Sequence, residues 1–373
     1  MKFDTLAVHA GAGTDAQTGA VVPPLHLSTT FEHAPDGAAL HGFTYQRGDN
    51  PTQQRLETAL ALLDGGEKAL FCASGMAAGT ALLQTLTPGS HVLLQDDLYH
   101  GFRTLARDYF PHWSLAASSV DMTDPDAVAA AMKPATRLVW AESPSNPLLK
   151  VVDIEALAEL AHARGAELVI DSTFATPVLQ QPLALGADIV LHSATKYMGG
   201  HSDVVGGALV FAQDDERAAA CRLVASTIGL NASPFAAWLV LRGLRSLPVR
   251  VERHCANARA VAGFLADHPR VEAVHYPGLA THAQHALAAR QMRDFGGMLS
   301  FRVAGDRADT LAVAGRLRLF VNATSLGGCE SLVEHRASSE GAHAVSPQNL
   351  LRLSVGLEHP DDLIADLAQA LAD

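Results

Sequence analysis

The sequence predicts an α/β protein: a large domain on a mostly parallel sheet, followed by a smaller α+β domain. Two observations carry this expectation. From about residue 55, short apolar runs alternate with helical patterns, as in sheets whose strands are buried on both faces. After about residue 235 the alternation gives way to a long helix-prone stretch, Phe235 to His268, and then to separate apolar runs. At 373 residues the chain is also too long for one small core.

The elements follow in order. Residues 1–43 show no clear period and contain Pro23 and Pro24, so they are expected to form an arm that packs on a neighbouring subunit. Residues 44–235 are expected to form the large domain. Its strands are the runs "ALFCA" at 69–73, "HVLLQ" at 91–95, "RLVWA" at 137–141, "ELVID" at 167–171 and "DIVLH" at 188–192. Between two of them, "DIEALAELAHARG" reads as a helix capped by Asp153, with Leu157, Leu160 and Ala161 on one face and Gly165 as its stop. Residues 236–373 are expected to form the smaller domain, with "GGMLSFRVAG" and "LLRLSVGLE" followed by the amphipathic ending "DDLIADLAQAL".

Charge and cysteine usage narrow the function. A net charge of −12 and a pI near 5.8 argue against nucleic-acid or anionic-membrane partners, which need a basic surface. A small-molecule substrate fits better. Cys72, Cys221, Cys255 and Cys329 are scattered without a CxxC pair, so neither a disulfide framework nor a thiolate zinc site is expected. His282 and His285 have no third ligand nearby, and no metal site is expected. The start "MKFDTLAVHAGAG" lacks a continuous apolar core, and no apolar run approaches the ~20 residues of a membrane span. The expected location is the cytoplasm.

In an open parallel sheet, ligands bind beyond the carboxyl ends of the strands, and the residues after each run form a coherent chemical set. "SGMAAGTALL" after the first run, with Ser74, Gly75 and Met76, opens a helix whose free N–H groups suit a phosphate. Tyr99 follows the second run, and Glu142 and Asn146, in "ESPSNP", the third. The fourth ends at Asp171, and the fifth leads to Ser193, Thr195 and Lys196. Alone, each has a plain structural reading as a cap, turn or solvated loop residue. Together, an acid for a heterocyclic nitrogen, an aromatic to stack, a phosphate cup and a Schiff-base lysine are what pyridoxal phosphate requires. Only five of the 27 basic Lys and Arg side chains are lysines, and Lys196 alone follows a buried run.

These segments also carry a resemblance that runs nearly end to end: "HAG" at residue 9, "YQRGDNPT", "SGMAA", "ESPSNPLLKVVDI", "DSTFATP", "HSATKYMGGHSDVVGG", "FGGMLSF", "SLGGCESL" and "LRLSVGLE". The chain resembles the Cys/Met-metabolism, or trans-sulfuration, family of pyridoxal-phosphate enzymes. The resemblance implies the aspartate-aminotransferase-like fold (fold type I) and pyridoxal phosphate as cofactor. It implies that Lys196 anchors the cofactor and acts as general base, that Asp171 pairs with the pyridine nitrogen, and that Tyr99 stacks on the ring. Gly75, Met76, Ser193 and Thr195 would hold the phosphate, with Thr173 among the cofactor contacts. Tyr45 and Arg47 would reach in from a neighbouring subunit, in a tetramer built from active-site-sharing dimers. Arg352 would take the substrate α-carboxylate, with Asn146, Ser325 and Glu142 beside it.

Departures from the family pattern bear on the reaction. Thr324 precedes "SLGG", where synthases and γ-lyases carry Glu and enteric and plant β-lyases Tyr. Gly101 replaces the Cys of methionine γ-lyases, and Thr104 the distal-acid Arg, with Arg103 one place earlier. "EHR" at 334–336 replaces "EHP", with an expected effect on local backbone only. The expected activity is a carbon–sulfur lyase acting on cystathionine or a related thioether amino acid. Cystathionine γ-synthase is the alternative, and methionine γ-lyase, homoserine-ester sulfhydrylase and aminotransferase rank lower.

Overall fold

The structure is a computed structural model that describes residues 1–372. Its larger sheet has seven strands: β1 (Lys68–Cys72), β2 (His91–Gln95), β3 (Ala116–Val120), β4 (Thr136–Glu142), β5 (Glu167–Asp171), β6 (Ile189–His192) and β7 (Gly207–Phe211). They lie in the order β1-β7-β6-β5-β4-β2-β3. Only β7 runs against its neighbours. Because β1 pairs antiparallel with β7, it runs parallel to the other five, and six carboxyl ends open on one edge.

Side-chain alternation explains the layers. Leu94, Trp140, Val169, Leu191 and Leu209 face helices Gly75–Leu83 and Glu216–Ile228 in one apolar cluster. Leu93, Val139, Leu168 and Ile170 face helix Ile154–His162 in another. Both faces are buried, so the central strands read as unbroken apolar runs. Asp153 caps helix Ile154–His162 by accepting from Ala156 N, as its position before the helix predicts.

The five expected strands are present within a residue or two. The two that pattern missed are β3 and β7. β3, "AASSV", is a half-exposed edge strand without β-branched or aromatic residues until its end. The stretch Phe235–His268 is two helices, Pro234–Leu244 and Leu247–Ala266, broken just ahead of Pro248. The first packs with Leu56 and Leu60 of helix Pro51–Asp64 against the large sheet.

The second sheet contains β8 (Val271–His275), β9 (Met298–Val303), β10 (Val321–Asn322), β11 (Leu332–His335) and β12 (Leu350–Ser354), in the order β10-β11-β12-β9-β8. Leu351 and Leu353 of β12 pack against Leu363 and Leu367 of the final helix, Pro360–Leu371. With a period of two, Arg352 must leave β12 on the opposite face. Among the described residues, no helix is long and apolar enough to cross a membrane.

Candidate active site

The carboxyl edge of the large sheet and the Arg352 face of β12 enclose a cavity of about 210 Å³. Gly75, Met76, Tyr99, Glu142, Asn146, Asp171, Thr173, Ser193, Thr195, Lys196, Ser325 and Arg352 all line it. These come from seven separate segments, brought together at the strand ends and by β12.

Lys196 lies at the centre. Its Nζ donates to Ser325 Oγ at 2.7 Å. Burial, reinforced by Arg352, pushes its pKa down to about 8. At pH 7 about one amine in ten is then free, against about one in 3,000 for an ordinary lysine. Uptake of pyridoxal phosphate by the apoprotein is therefore expected to accelerate about tenfold per pH unit below 8 and to level off above it, followed by absorbance. A rate still climbing through pH 10 would contradict this assignment. Ser325 holds φ at +93°, a costly conformation for a residue with a Cβ, in the loop that meets both Lys196 and Arg352.

Asp171 ends β5 opposite Glu142 at the end of β4. Thr173 donates its N–H (3.0 Å) and its hydroxyl (2.6 Å) to the same oxygen, Asp171 Oδ1. Ser193 N in turn donates to Thr173 Oγ1 at 2.8 Å, fixing the acid relative to the loop that carries Lys196. Burial raises the Asp171 pKa despite these donors. Glu142 is raised well above the usual range by burial and by Asp171. Its Oε2 accepts from Tyr99 N at 2.7 Å and so anchors the loop that presents the Tyr99 ring.

The candidate phosphate cup is the start of helix Gly75–Leu83. Ser74 Oγ caps Ala77 N at 3.0 Å, which leaves the first-turn N–H groups of Gly75 and Met76 for a ligand. Gly207 of β7 passes directly behind this turn, and a Cβ there would lie 2.2 Å from Ser74 O. Gly207→Ala must displace the cup, and about tenfold weaker cofactor binding is expected, in line with the cost of overpacking. An absorbance titration of the apoprotein measures it, and unchanged affinity would rule out this account of the cup. Gly101 is a similar case: a Cβ would meet the Tyr99 ring at 2.6 Å and Met76 Sδ at 2.9 Å, so the ring's position requires a residue without one.

Arg352 is wholly buried in β12. Its Nη1 donates to Asn146 Oδ1 (2.9 Å) and its Nη2 to Ser325 O (3.0 Å) and Glu334 Oε2 (2.5 Å). Glu334 sits opposite it in the β11–β12 register. Burial lowers the Arg352 pKa to about 10, against the pull of Glu334. Burial acts to raise the Glu334 pKa, but Arg352 and Arg336 outweigh it and hold the carboxyl below its ordinary value. Arg352 Nε has no protein partner.

Four expectations meet different outcomes. Tyr45 and Arg47 lie outside this cavity, and Arg47 Nη1 donates to Ser226 O at 2.7 Å. Neither Arg103 nor Thr104 lines the cavity: Arg103 is bound to Leu98 O and paired with Glu340. His192, His201 and His335 make hydrogen bonds to Asp64, Gly199 O, and Gln348 O with Ser338, as structural histidines do. The fourth is a correction. Arg336 of "EHR" does more than alter local backbone: its side chain is 2 % exposed, lines the cavity and donates to Glu334 Oε2 at 3.0 Å. A charged residue just after a buried strand was the available signal. Among the described residues, no cluster of three or more His, Cys, Asp or Glu side chains is placed to hold a metal.

The donor set fits pyridoxal phosphate. A helix start offers free N–H groups, Asp171 Oδ2 is left without a protein donor, and a partly neutral lysine faces the same space.

Comparison with known proteins agrees. The profile of the Cys/Met metabolism PLP-dependent enzymes matches residues 4–372. The chain is 49% identical to the cystathionine gamma-synthase of Mycobacterium tuberculosis, over 98% of this chain and 96% of that protein. It is 44% identical to the cystathionine beta-lyase of Coxiella burnetii, over 99% and 97%. The crystal structure of metB from Corynebacterium glutamicum superposes with a TM-score of 0.97 at 43% identity, covering 100% of this chain and 98% of that one. With its fold, its cavity and its sequence in agreement, the chain belongs to the Cys/Met-metabolism family of pyridoxal-phosphate-dependent enzymes.

Proposed function

We propose that the protein is a carbon–sulfur lyase that cleaves cystathionine, or a closely related thioether amino acid, by elimination. A partly neutral Lys196 and a buried Arg352 in one cavity, joined through Ser325, support chemistry at an amino-acid Cα. The observation that favours the lyase over the synthase is Thr324 in the cavity wall, where the family resemblance puts a Glu in synthases. Pyridoxal phosphate, when bound, supplies an electron sink for negative charge at the substrate Cα. Gly75, Met76, Ser193 and Thr195 would hold its phosphate, Tyr99 would cover its ring, and Asp171 would keep a proton on its pyridine nitrogen.

The protein's own groups do the rest. Arg352 fixes the α-carboxylate with charge-assisted hydrogen bonds, assisted by Asn146. Lys196 Nζ, which faces the same space, removes the Cα proton. The departing sulfur then needs a proton. Lys196, now an ammonium, and the Tyr99 hydroxyl, whose pKa burial raises, are the acids available in the cavity.

Tyr45 and Arg47 are proposed to complete the phosphate site of a second copy, because both lie away from their own cavity and the Tyr45 side chain is half exposed. An active-site-sharing dimer follows from this proposal; the tetramer of such dimers rests on the family resemblance, and a cytoplasmic location is proposed from the scattered, free cysteines.

A second reading, cystathionine γ-synthase, is supported by the 49% identity to proteins of that name. Product analysis decides. L-Cystathionine converted to pyruvate, ammonia and homocysteine means β-elimination, and to 2-oxobutyrate, ammonia and cysteine means γ-elimination. No cleavage, with cystathionine made from an activated homoserine and cysteine, would replace the lyase reading by the synthase.

A further inference from the structure

We infer that Arg336 is a positioning residue that acts through Glu334: by taking a share of that carboxylate, it leaves Arg352 with positive charge for the substrate's α-carboxylate to balance. The inference rests on the reading of the cavity as an amino-acid site in which Arg352 takes that group.

The geometry is a chain of ion pairs. Glu334 Oε2 accepts from Arg352 Nη2 at 2.5 Å and from Arg336 Nη1 at 3.0 Å, so one carboxylate oxygen serves two guanidinium groups. Arg336 Nη2 lies 3.6 Å from Glu340 Oε1, and that oxygen lies 3.3 Å from Arg103 Nη2. Apart from Arg103, these side chains are almost fully buried. Among the described residues, the linked groups are therefore three guanidiniums and two carboxylates, with one positive charge in excess. His100 does not alter the count. Arg336 Nη2 lies 3.3 Å from its Nδ1, which must accept from a group that can only donate, and burial together with Arg336 lowers the pKa of the ring, so it stays neutral.

Both carboxylates stay ionised. Burial acts to raise the Glu340 pKa, but hydrogen bonds from Ser346 and Val345 and the charge of Arg103 hold it below its ordinary value. The two arginines do the same for Glu334 against burial. Glu142, raised by burial and by Asp171, favours its neutral form and offers Arg352 little counter-charge. A buried charge without a counter-charge is costly, and a carboxylate seated on Arg352 cancels the excess. Without Arg336 the count is zero before any substrate arrives: Glu334 matches Arg352, and Glu340 matches Arg103. The α-carboxylate would then enter as the surplus charge, and for the same reason no carboxylate of the protein is stranded when Arg336 is removed.

The test compares L-norleucine with 1-pentylamine, two ligands without a leaving group that differ by the α-carboxylate. Each is titrated into the cofactor-loaded protein, and the change in cofactor absorbance gives Kd. The wild type is expected to prefer L-norleucine by about 100-fold, the scale of a charge-assisted pair of hydrogen bonds. In Arg336→Met the preference should fall about tenfold. Adding Glu334→Gln to Arg336→Met returns the count to one positive charge, so the double variant should recover to within about threefold of the wild type, which loss of a merely structural contact would not allow. Glu334→Gln alone should keep the wild-type preference or exceed it, and it decides the matter if Arg336→Met does not fold. A preference that survives Arg336→Met, a loss that the double variant does not recover, or a tenfold loss in Glu334→Gln alone would overturn the role of Arg336 while leaving the amino-acid site intact. If the wild type shows no preference, or neither ligand perturbs the absorbance, the reading of Arg352 as the α-carboxylate anchor fails and this inference with it.

Discussion

Lys196→Ala is expected to lower kcat by about four orders of magnitude, the upper end of what a positioned general base contributes, with pyridoxal phosphate supplied in excess. On the proposed reading the side chain has two tasks at one atom, covalent cofactor retention and movement of the Cα proton. Its loss should also bleach the absorbance band of the bound cofactor. Folding is not at issue, because Lys196 Nζ makes a single hydrogen bond, to Ser325 Oγ. Circular dichroism and steady-state kinetics on matched samples measure both effects. More than a tenth of the wild-type kcat in the variant would mean that another group acts as the base.

Arg352→Met should be nearly as severe, by a different route. It removes the proposed anchor of the α-carboxylate, so KM should rise about 100-fold, as expected for loss of a charge-assisted pair of hydrogen bonds, with a smaller change in kcat. It also deletes the cation opposite Glu334 in the β11–β12 register. Breaking a buried pair costs about 3–5 kcal/mol; Arg336, which still pairs with Glu334, should hold the loss toward the lower end. A fall in kcat with KM unchanged would place Arg352 outside substrate binding.

The contrast between these two residues shows what the sequence made legible. Lys196 could be found because it follows a fully buried strand in a chain with few lysines. The same logic located Asp171, whose strand β5 ends in "VID". Strand ends bearing polar residues are visible as abrupt changes from apolar to polar, and six parallel strands bring such changes to one edge. Arg352 lay inside an apolar run and was reached by resemblance. The structure supplies its physical reason: period-two alternation in β12 turns Leu351 and Leu353 to the core and Arg352 toward the cavity.

What stayed hidden depended on packing between segments far apart in the chain. Arg336 meets His100, 236 positions earlier, and nothing local to "EHR" announces that contact. β7 runs antiparallel in an otherwise parallel sheet, and its run "GALVF" was passed over, although Gly207 is needed to let the Ser74–Gly75 turn approach. The Tyr45–Arg47 segment lies outside the cavity of its own chain, and its proposed role is in a second copy.

The most direct test of the central claim, that Lys196 carries the cofactor, is borohydride reduction of the purified holoenzyme followed by peptide mapping. Phosphopyridoxyl label confined to the peptide containing Lys196 is the predicted result. Label on Lys2, Lys68, Lys133 or Lys150 instead, with Lys196 unmodified, would contradict it.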